Sequence, residues 1–467
     1  MKRCILLVLV FSLIAGTSYA EIADRDRPLD TDGSIYAGFS EGNEPSKSQL
    51  MEYIKKLQAQ VSALAAKVDK LEGKPVKPPV KEAVKKKPPA KRDVAAKVKD
   101  ELEKLDIGAC ATMIVQNAID ANRTPNNKEN KTAGSYQIDI MLDRDIGEFG
   151  HAFAQLECGD GLSVIPDLEV FSNVDNNNDD TDNRAWLTKF WYQQKFLDRQ
   201  LALTIGKWDP TDYVDTNAYA NNDSMQFLGS IFNNAPTWDV PSKAPGAMIN
   251  VQPHETPWFE FMVQAFTGDG SWDNILDHME ITPELNIKPT ISGRTGNYRV
   301  YGWLRNTYYT QWSDRSKTKE HGYGFGVTID QEITDIIGVF GRYGWENPDV
   351  YDPDNISSAG TVISLEQTWS AGFQVTGKPW GREKDNIGCA VGWVMPSDKY
   401  KEYGGSNLEA KDEGHFEIYY SWAVNDMLFV SPDLQVVWNP FGDDYVVSGE
   451  KRNSAITILG LRGHIGF

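Results

Sequence analysis

Residues able to ligate a metal or move a proton are sparse in this chain. The stretch NVDNNNDDTDN (173–183) sets Asp175, Asn177, Asp179 and Asp180 at a spacing like that of a calcium loop. It lacks the glycine that such a loop needs for its sharp turn and the distal glutamate that completes the coordination. It reads as a solvated outer loop without a metal. His151, His415 and His464 have no serine or carboxylate next to them in a recognisable catalytic pattern, and no HExxH, GxSxG, CxxC or phosphate-cradling loop occurs. The expectation is no catalytic residue, no cofactor and no enzyme. What recurs instead is charge and amide groups spaced two apart within apolar runs. Arg299, Tyr301, Trp303 and Arg305 alternate with Tyr298, Val300 and Leu304, and Glu260 and Gln264 with Phe259, Phe261, Val263 and Ala265. Glu417 and Tyr419, Arg342, and Arg462 sit the same way in their own runs.

The elements that position these residues are strands. A period of two puts successive side chains on opposite faces. In HFEIYYSWA (415–423), Phe416, Ile418, Tyr420 and Trp422 share one face. In the final run AITILGLRGHIGF (455–467), Leu459, Leu461, Ile465 and Phe467 oppose Arg462 and His464. A soluble sandwich would bury the greasy face and a membrane barrel would give it to lipid, with the charges lining a wet lumen. Three features favour the barrel: aromatics near strand ends, an export signal, and a last strand that ends on Phe467. A terminal aromatic of that kind is what the barrel-insertion machinery reads. About 360 residues from residue 105 onward, at roughly 20–24 per strand and loop, make 15 to 18 strands. Even counts are the rule for single-chain bacterial barrels, which selects 16, and a barrel of that size leaves an aqueous channel.

The totals agree. The formal charge of −19 argues against nucleic acid as a partner. Met1–Ala20 has Lys2 and Arg3, a short apolar run and Ser18-Tyr19-Ala20, the pattern of a signal peptide cut after Ala20. That run is too short for a membrane anchor. Residues 21–45 read as a flexible segment. In 46–72, Leu50, Ile54, Leu57, Val61, Leu64, Val68 and Leu71 keep a 4-3 spacing, which favours a coiled coil over a helix packed on the barrel. A homo-oligomer is compatible with this seam and its number stays open. Residues 73–104 form a Lys/Pro-rich linker. Its 73–99 portion carries a net +8, and removing that from −19 leaves −27 on the rest. The linker is either a solvated spacer or a periplasmic arm that touches anionic peptidoglycan. Cys110 and Cys158 can bridge only if their strands are neighbours.

The segment LALTIGKWDPTDYVDTNAYANNDSMQFLGSIFNN (201–234) resembles the signature of carbohydrate-selective porins of the OprB type, through Gly206–Asp212, Asp215–Asn221 and Gln226–Leu228. SPDLQVVWNPFG (431–442) supports it. The resemblance covers roughly 105–467 and implies an outer-membrane channel that passes sugars. A sugar-selective pore needs charged or amide groups for hydroxyls and aromatics for C–H faces, held weakly. The alternating set Arg299, Tyr301, Trp303, Arg305, Glu260, Gln264, Arg342, Glu417, Tyr419 and Arg462 supplies both, although each alone can equally be a lumen salt bridge. Lys207, Asp209, Asp212, Asp215, Asn217 and Asn221 either line an inward constriction loop or hold the turns of an outer loop. Two other readings stay open: a general, weakly cation-selective porin favoured by the acidic charge, and a tether between outer membrane and cell wall.

Overall fold

The computed structural model describes residues 104–122, 129–177, 181–357, 360, 362–403, 409–442 and 455–467. The expected signal peptide, flexible segment, coiled coil and linker, apart from Lys104, lie outside the described residues. From residue 106 onward the regular structure of the described residues is almost entirely strand, joined by turns and loops. In order these are β1 Asp106–Ile119, β2 Lys131–Ile146, β3 Gly150–Asp160, β4 Trp186–Phe196, β5 Leu201–Trp208, β6 Ala244–Val251, β7 Phe259–Thr267, β8 Met279–Ile287 and β9 Thr290–Ile291. There follow β10 Arg294–Gln311, β11 Glu320–Thr334, β12 Ile337–Glu346, β13 Val350–Tyr351, β14 Leu365–Thr376, β15 Asn386–Pro396, β16 Glu413–Ala423, β17 Leu428–Trp438 and β18 Ala455–Gly466. β9 and β13 are two-residue fragments, so sixteen long strands make the wall, as expected.

Each long strand pairs antiparallel with the next, and the sheet closes on itself. β1 runs against β18 from Cys110↔Gly466 to Ile119↔Thr457. Phe467 continues that ladder, exchanging both backbone hydrogen bonds with Ala109 at 2.9 and 3.0 Å. Closure leaves no sheet edge with unpaired N–H and C=O groups, which hydrocarbon would not tolerate.

The faces are inverted relative to a soluble protein. Met113, Val115, Ile140, Ile205, Val300, Leu304, Phe325, Leu459 and Leu461 are exposed on the outside, while Gln264, Glu280, Glu417 and Gln435 are 0% exposed on the inside. Trp258, Trp380 and Trp422 are exposed near one rim and Trp186 and Trp438 near the other, where amphipathic rings bridge apolar and polar surroundings. The turns at the first rim are short, for example 147–149 and 335–336, and the loops at the other are long, such as 161–185 and 209–243. Short turns mark the periplasmic side of outer-membrane barrels.

The cysteine bridge does not form. Cys110 points into the lumen, with Sγ 3.6 Å from Asp139 Oδ2. Cys158 lies opposite the outward-facing Ile138, so β2 separates the two cysteines and they face opposite sides of the wall. Cys110, Cys158 and Cys389 are all free thiols.

Candidate functional site

The lumen is partly filled by the loop between β5 and β6. Its sequence explains why it turns inward. Asp209 accepts from Thr211 N at 2.9 Å and Thr211 Oγ1 at 2.7 Å, closing the Asp209-Pro210 turn at the end of β5. The following residues supply apolar side chains: Val214, Ala220, Phe227, Leu228, Ile231 and Phe232 are all buried. They pack against inward aromatics of the wall, with Phe227 edge-on to Tyr419 at 5.0 Å and Trp238 5.3 Å from Tyr301. The apolar core of this protein thus sits inside the barrel, between wall and loop.

Charged wall residues then grip the loop's backbone. Arg342 donates to Asp215 Oδ1 at 2.9 Å and to the carbonyls of Asp215, Ala220 and Phe232 at 2.8, 3.2 and 2.5 Å. Arg462 donates to the carbonyls of Asp223 and Gln226 at 2.6 and 2.8 Å. Glu417 accepts from Leu228 N and Gly229 N at 2.6 and 2.8 Å. Gln264 donates to Pro210 O at 3.0 Å and accepts from Trp208 Nε1 at 2.7 Å. Arg305 spans Glu280, Asp239 and Asp352 at 3.0, 3.2 and 3.1 Å. An irregular loop inside a barrel has backbone donors and acceptors that need partners, and these side chains provide them.

These contacts revise several sequence expectations. Arg305, Arg342, Glu417 and Arg462 face the lumen but hold the loop and do not meet open water. Tyr301, Trp303 and Tyr419 are buried at 2, 4 and 1% exposure and pack as core. Arg299 and Glu260 do border open space: Arg299 pairs with Asp330 at 2.8 Å, and Glu260 with Lys288 at 2.6 Å. Of the loop candidates, Lys207 belongs to β5, paired with Phe190 and Pro245. Asp215 is fully buried in the Arg342 clamp. Asn217 accepts from Tyr219 N and donates to Ile329 O at 2.9 and 3.2 Å, fixing a turn to the wall. Asp209, Asp212 and Asn221 border a cavity.

Sequence reasoning missed a second inward segment. Residues 173–177 are no solvated loop: Val174 and Asp175 are 0% exposed. Gln116 and Gln435 both donate to Val174 O, at 3.0 and 2.9 Å. Glu413 accepts from Phe171 N, Ser172 N and Phe441 N at 2.8, 2.7 and 2.7 Å. Ser172 Oγ also lies 2.9 Å from His415 Nδ1, so His415 has a serine and a carboxylate beside it after all. All three are 0% exposed with their polar atoms engaged, and this is a strut. Period-two alternation extended through EGHFEIYY (413–420) and MEITPELNI (279–287) would have flagged Glu413, Glu280 and Glu284 as inward.

Among the described residues, polar cavities lie on both sides of the inward loop. The outer one, about 580 Å³, lies on the long-loop side between Asp139, Glu157, Lys189, Asp212, Trp238 and Lys243. The inner one, about 400 Å³, lies on the short-turn side between Lys195, Arg199, Asp212, Glu260, Asn286 and Arg299. Asp212 borders both, and Lys189 Nζ holds its carboxylate at 2.7 Å. Lys243 pairs with Glu157 at 3.3 Å. Burial pushes the carboxyls of Asp175 and Asp209 up to about 7, with Asp212 adding to the effect at Asp209. Among the described residues no group of three or more potential ligands could hold a metal.

Residues 140–467 match the family described as "Carbohydrate-selective porin, OprB family". The chain belongs to that family. Among solved structures, the high-pH structure of OprB from Pseudomonas putida shares the fold of this porin, with TM-score 0.62 and 17% identity, covering 80% of this chain and 97% of that one. Porin AaxA of Chlamydia trachomatis is 23% identical over 271 residues, 56% of this chain, and the match spans 53% of the relative's own length. An uncharacterized protein of Aquifex aeolicus is 23% identical over 309 residues, 66% of this porin and 80% of that protein.

Proposed function

We propose that this OprB-family porin carries neutral carbohydrates passively across the outer membrane, through the outer cavity, past Asp212 and Lys189, and out by the inner cavity. The observation that carries the route is a lumen narrowed by a clamped loop with an open polar cavity on each side of it. Residues engaged in clamps are unavailable to a permeant. Those left to meet it are the Lys189–Asp212 pair, the outer asparagines, and Arg299, Glu260, Lys195 and Asn286 on the inner side. Charged and amide groups of this kind exchange hydrogen bonds with hydroxyls without holding them tightly. No reaction is assigned to the site. The test is single-channel conductance of the purified protein in a planar bilayer, titrated with maltose. Millimolar maltose should reduce the current. Open channels indifferent to maltose would refute the reading.

A general cation-selective porin is the second reading. The chain's acidic charge favours it, as does the outer cavity, whose border carries Asp139, Glu157, Asp209, Asp212 and Asp223 against Lys189 and Lys243. Reversal potentials in a KCl gradient discriminate: strong cation preference without maltose block selects it. The +8 of residues 73–99 supports a separate role for the N-terminal arm, contact with anionic peptidoglycan. Full-length protein should co-sediment with peptidoglycan at low salt, and protein lacking 46–104 should not.

A further inference from the structure

We infer that the inner cavity is a phosphate-binding site, with Lys195 and Arg199 holding the oxyanion, and that it loads from the short-turn side of the pore. The ligand is inorganic phosphate or a small phosphate ester. This goes beyond the sugar-porin reading and does not rest on it.

Both cations border the inner cavity and both can be reached from it. Lys195 is half-buried on the lumen face of β4, next to the outward Phe196, and Arg199 is exposed in the turn between β4 and β5. Among the described residues neither forms an ion pair with a carboxylate. The Arg199 guanidinium donates to the Glu148 carbonyl at 3.3 Å, which leaves most of its fork open. The carboxylates on the same border are already served. Asp212 takes Lys189 at 2.7 Å, Glu260 takes Lys288 at 2.6 Å and Asn250 Nδ2 at 2.7 Å, and Glu284 takes the Asp215 N–H at 2.9 Å. Arg299 borders the cavity too, but it is committed to Asp330 at 2.8 Å and lies 3.8 Å from Glu284. Glu148, Asp198 and Glu255, on the turns at this rim, are exposed and lie off the cavity border. Lys195 and Arg199 are therefore the charges left over.

The turn that carries Arg199 is held in an unusual conformation. Leu197, Asp198 and Arg199 have φ of 51, 53 and 71°, a left-handed run without a glycine, where other residues are uncommon. Gln200 N closes the turn onto Leu197 O at 3.1 Å, and Gln252 N ties it to the next hairpin through Gln200 O at 2.9 Å. Strain of this kind persists where the surroundings fix it, and it gathers at ligand sites. Phosphate is the anion that suits the pair. It carries about −1.5 to −2 near neutral pH, which matches two unpaired cations. The arginine fork meets two of its oxygens and the lysine adds a point charge. The cavity, about 400 Å³, falls in the range of roughly 300–1,000 Å³ usual for small-molecule sites. The side of entry follows from the charge beyond the inward loop. The outer cavity sets Asp139, Glu157, Asp209, Asp212 and Asp223 against Lys189 and Lys243. An anion is disfavoured there and meets the inner cations first from the short-turn side.

The experiment uses the full-length protein in planar bilayers at about 0.1 M KCl, where surface charge is only partly screened. Glucose 6-phosphate, inorganic phosphate and glucose are added to one side of the same channels and then to the other. Glucose 6-phosphate should block from one side at least tenfold more strongly than from the other, and at least tenfold more strongly than glucose from that side. Inorganic phosphate should block from the same side. Lys195→Met with Arg199→Gln should raise the half-blocking concentration about tenfold on that side alone, as expected for the loss of charge-assisted hydrogen bonds. Lys195→Arg with Arg199→Lys, which keeps both charges, should keep the block. Glucose 6-phosphate that blocks no better than glucose overturns the site. So does equal block from both sides, or inorganic phosphate without effect. A double variant whose barrel still resists unfolding in detergent and whose block is unchanged overturns it as well. If the double variant does not fold, Arg199→Gln alone should weaken the block at least about threefold, and an unchanged block overturns the site. Channels blocked by phosphate and indifferent to maltose refute the sugar-porin reading and leave this site standing; block by maltose without block by phosphate does the reverse.

Discussion

Replacing Arg342 by Met removes the central clamp of the inward loop. The guanidinium makes four hydrogen bonds to that loop, one of them to the Asp215 carboxylate. Both side chains are essentially without solvent contact, at 1% and 0%. Loss of one partner of a buried pair strands the other, at a cost of about 3–5 kcal/mol. At 1.36 kcal/mol per factor of ten, that raises the undocked population of the loop by roughly two to three and a half orders of magnitude. The wall should survive, because β12 is held to β11 and β14 by backbone ladders that do not use the side chain. Single-channel recording should therefore show larger and noisier conductance steps and weaker maltose block, while the barrel still resists unfolding in detergent without heating. The double change Arg342→Met with Asp215→Asn should recover much of the wild-type conductance, since no charge is stranded. If R342M conducts, flickers and is blocked by maltose like the wild type, the clamp does not set the pore and the argument from the inward loop fails.

Two further outcomes follow from the same geometry. A Cβ at Gly338 would run into the ring of Tyr219, whereas one at Gly341, three residues along β12, meets nothing within 4 Å. Gly338→Leu should push the 215–221 turn off the wall at about 1–3 kcal/mol and raise the conductance, and Gly341→Leu should leave it alone. Identical traces from the two would refute the packing argument. Asp209 titrates in the outer cavity, its carboxyl pushed up to about 7 by burial and by Asp212, against the pull of Lys189 and Thr211. Because its value in the folded protein lies above the ordinary 3.8, its contribution to docking is complete below that pH and is lost as pH rises through about 7. Over the same window the cavity gains a negative charge. At about 10 Å through water that charge favours a passing cation by about 0.4 kcal/mol and disfavours an anion by as much, or about fourfold in potassium-over-chloride selectivity between pH 6 and 8. Asp209→Asn should flatten that rise in reversal-potential measurements, and a rise that persists would exclude Asp209 as its source.

The alternation of residues along each strand determined the wall of this protein. Period two is a local property, so Arg299, Glu260, Glu417 and Arg462 could be assigned to the lumen, and Leu459 and Phe467 to the outside, from neighbours two positions away. The strand number followed from length, and the 201–234 motif named the family. What each lumen residue does was decided by tertiary structure alone. Asp215 and Arg342 are 127 positions apart, and Arg462 meets its carbonyl partners from 239 and 236 positions away. Backbone carbonyls and amides, the partners of most of these side chains, look the same in every sequence. A charged residue that grips a loop and one that greets a sugar obey the same alternation. They separate only when the chain folds 209–243 into its own barrel, turning Arg342, Glu417 and Arg462 into anchors and leaving Lys189, Asp212 and the asparagines at the open space.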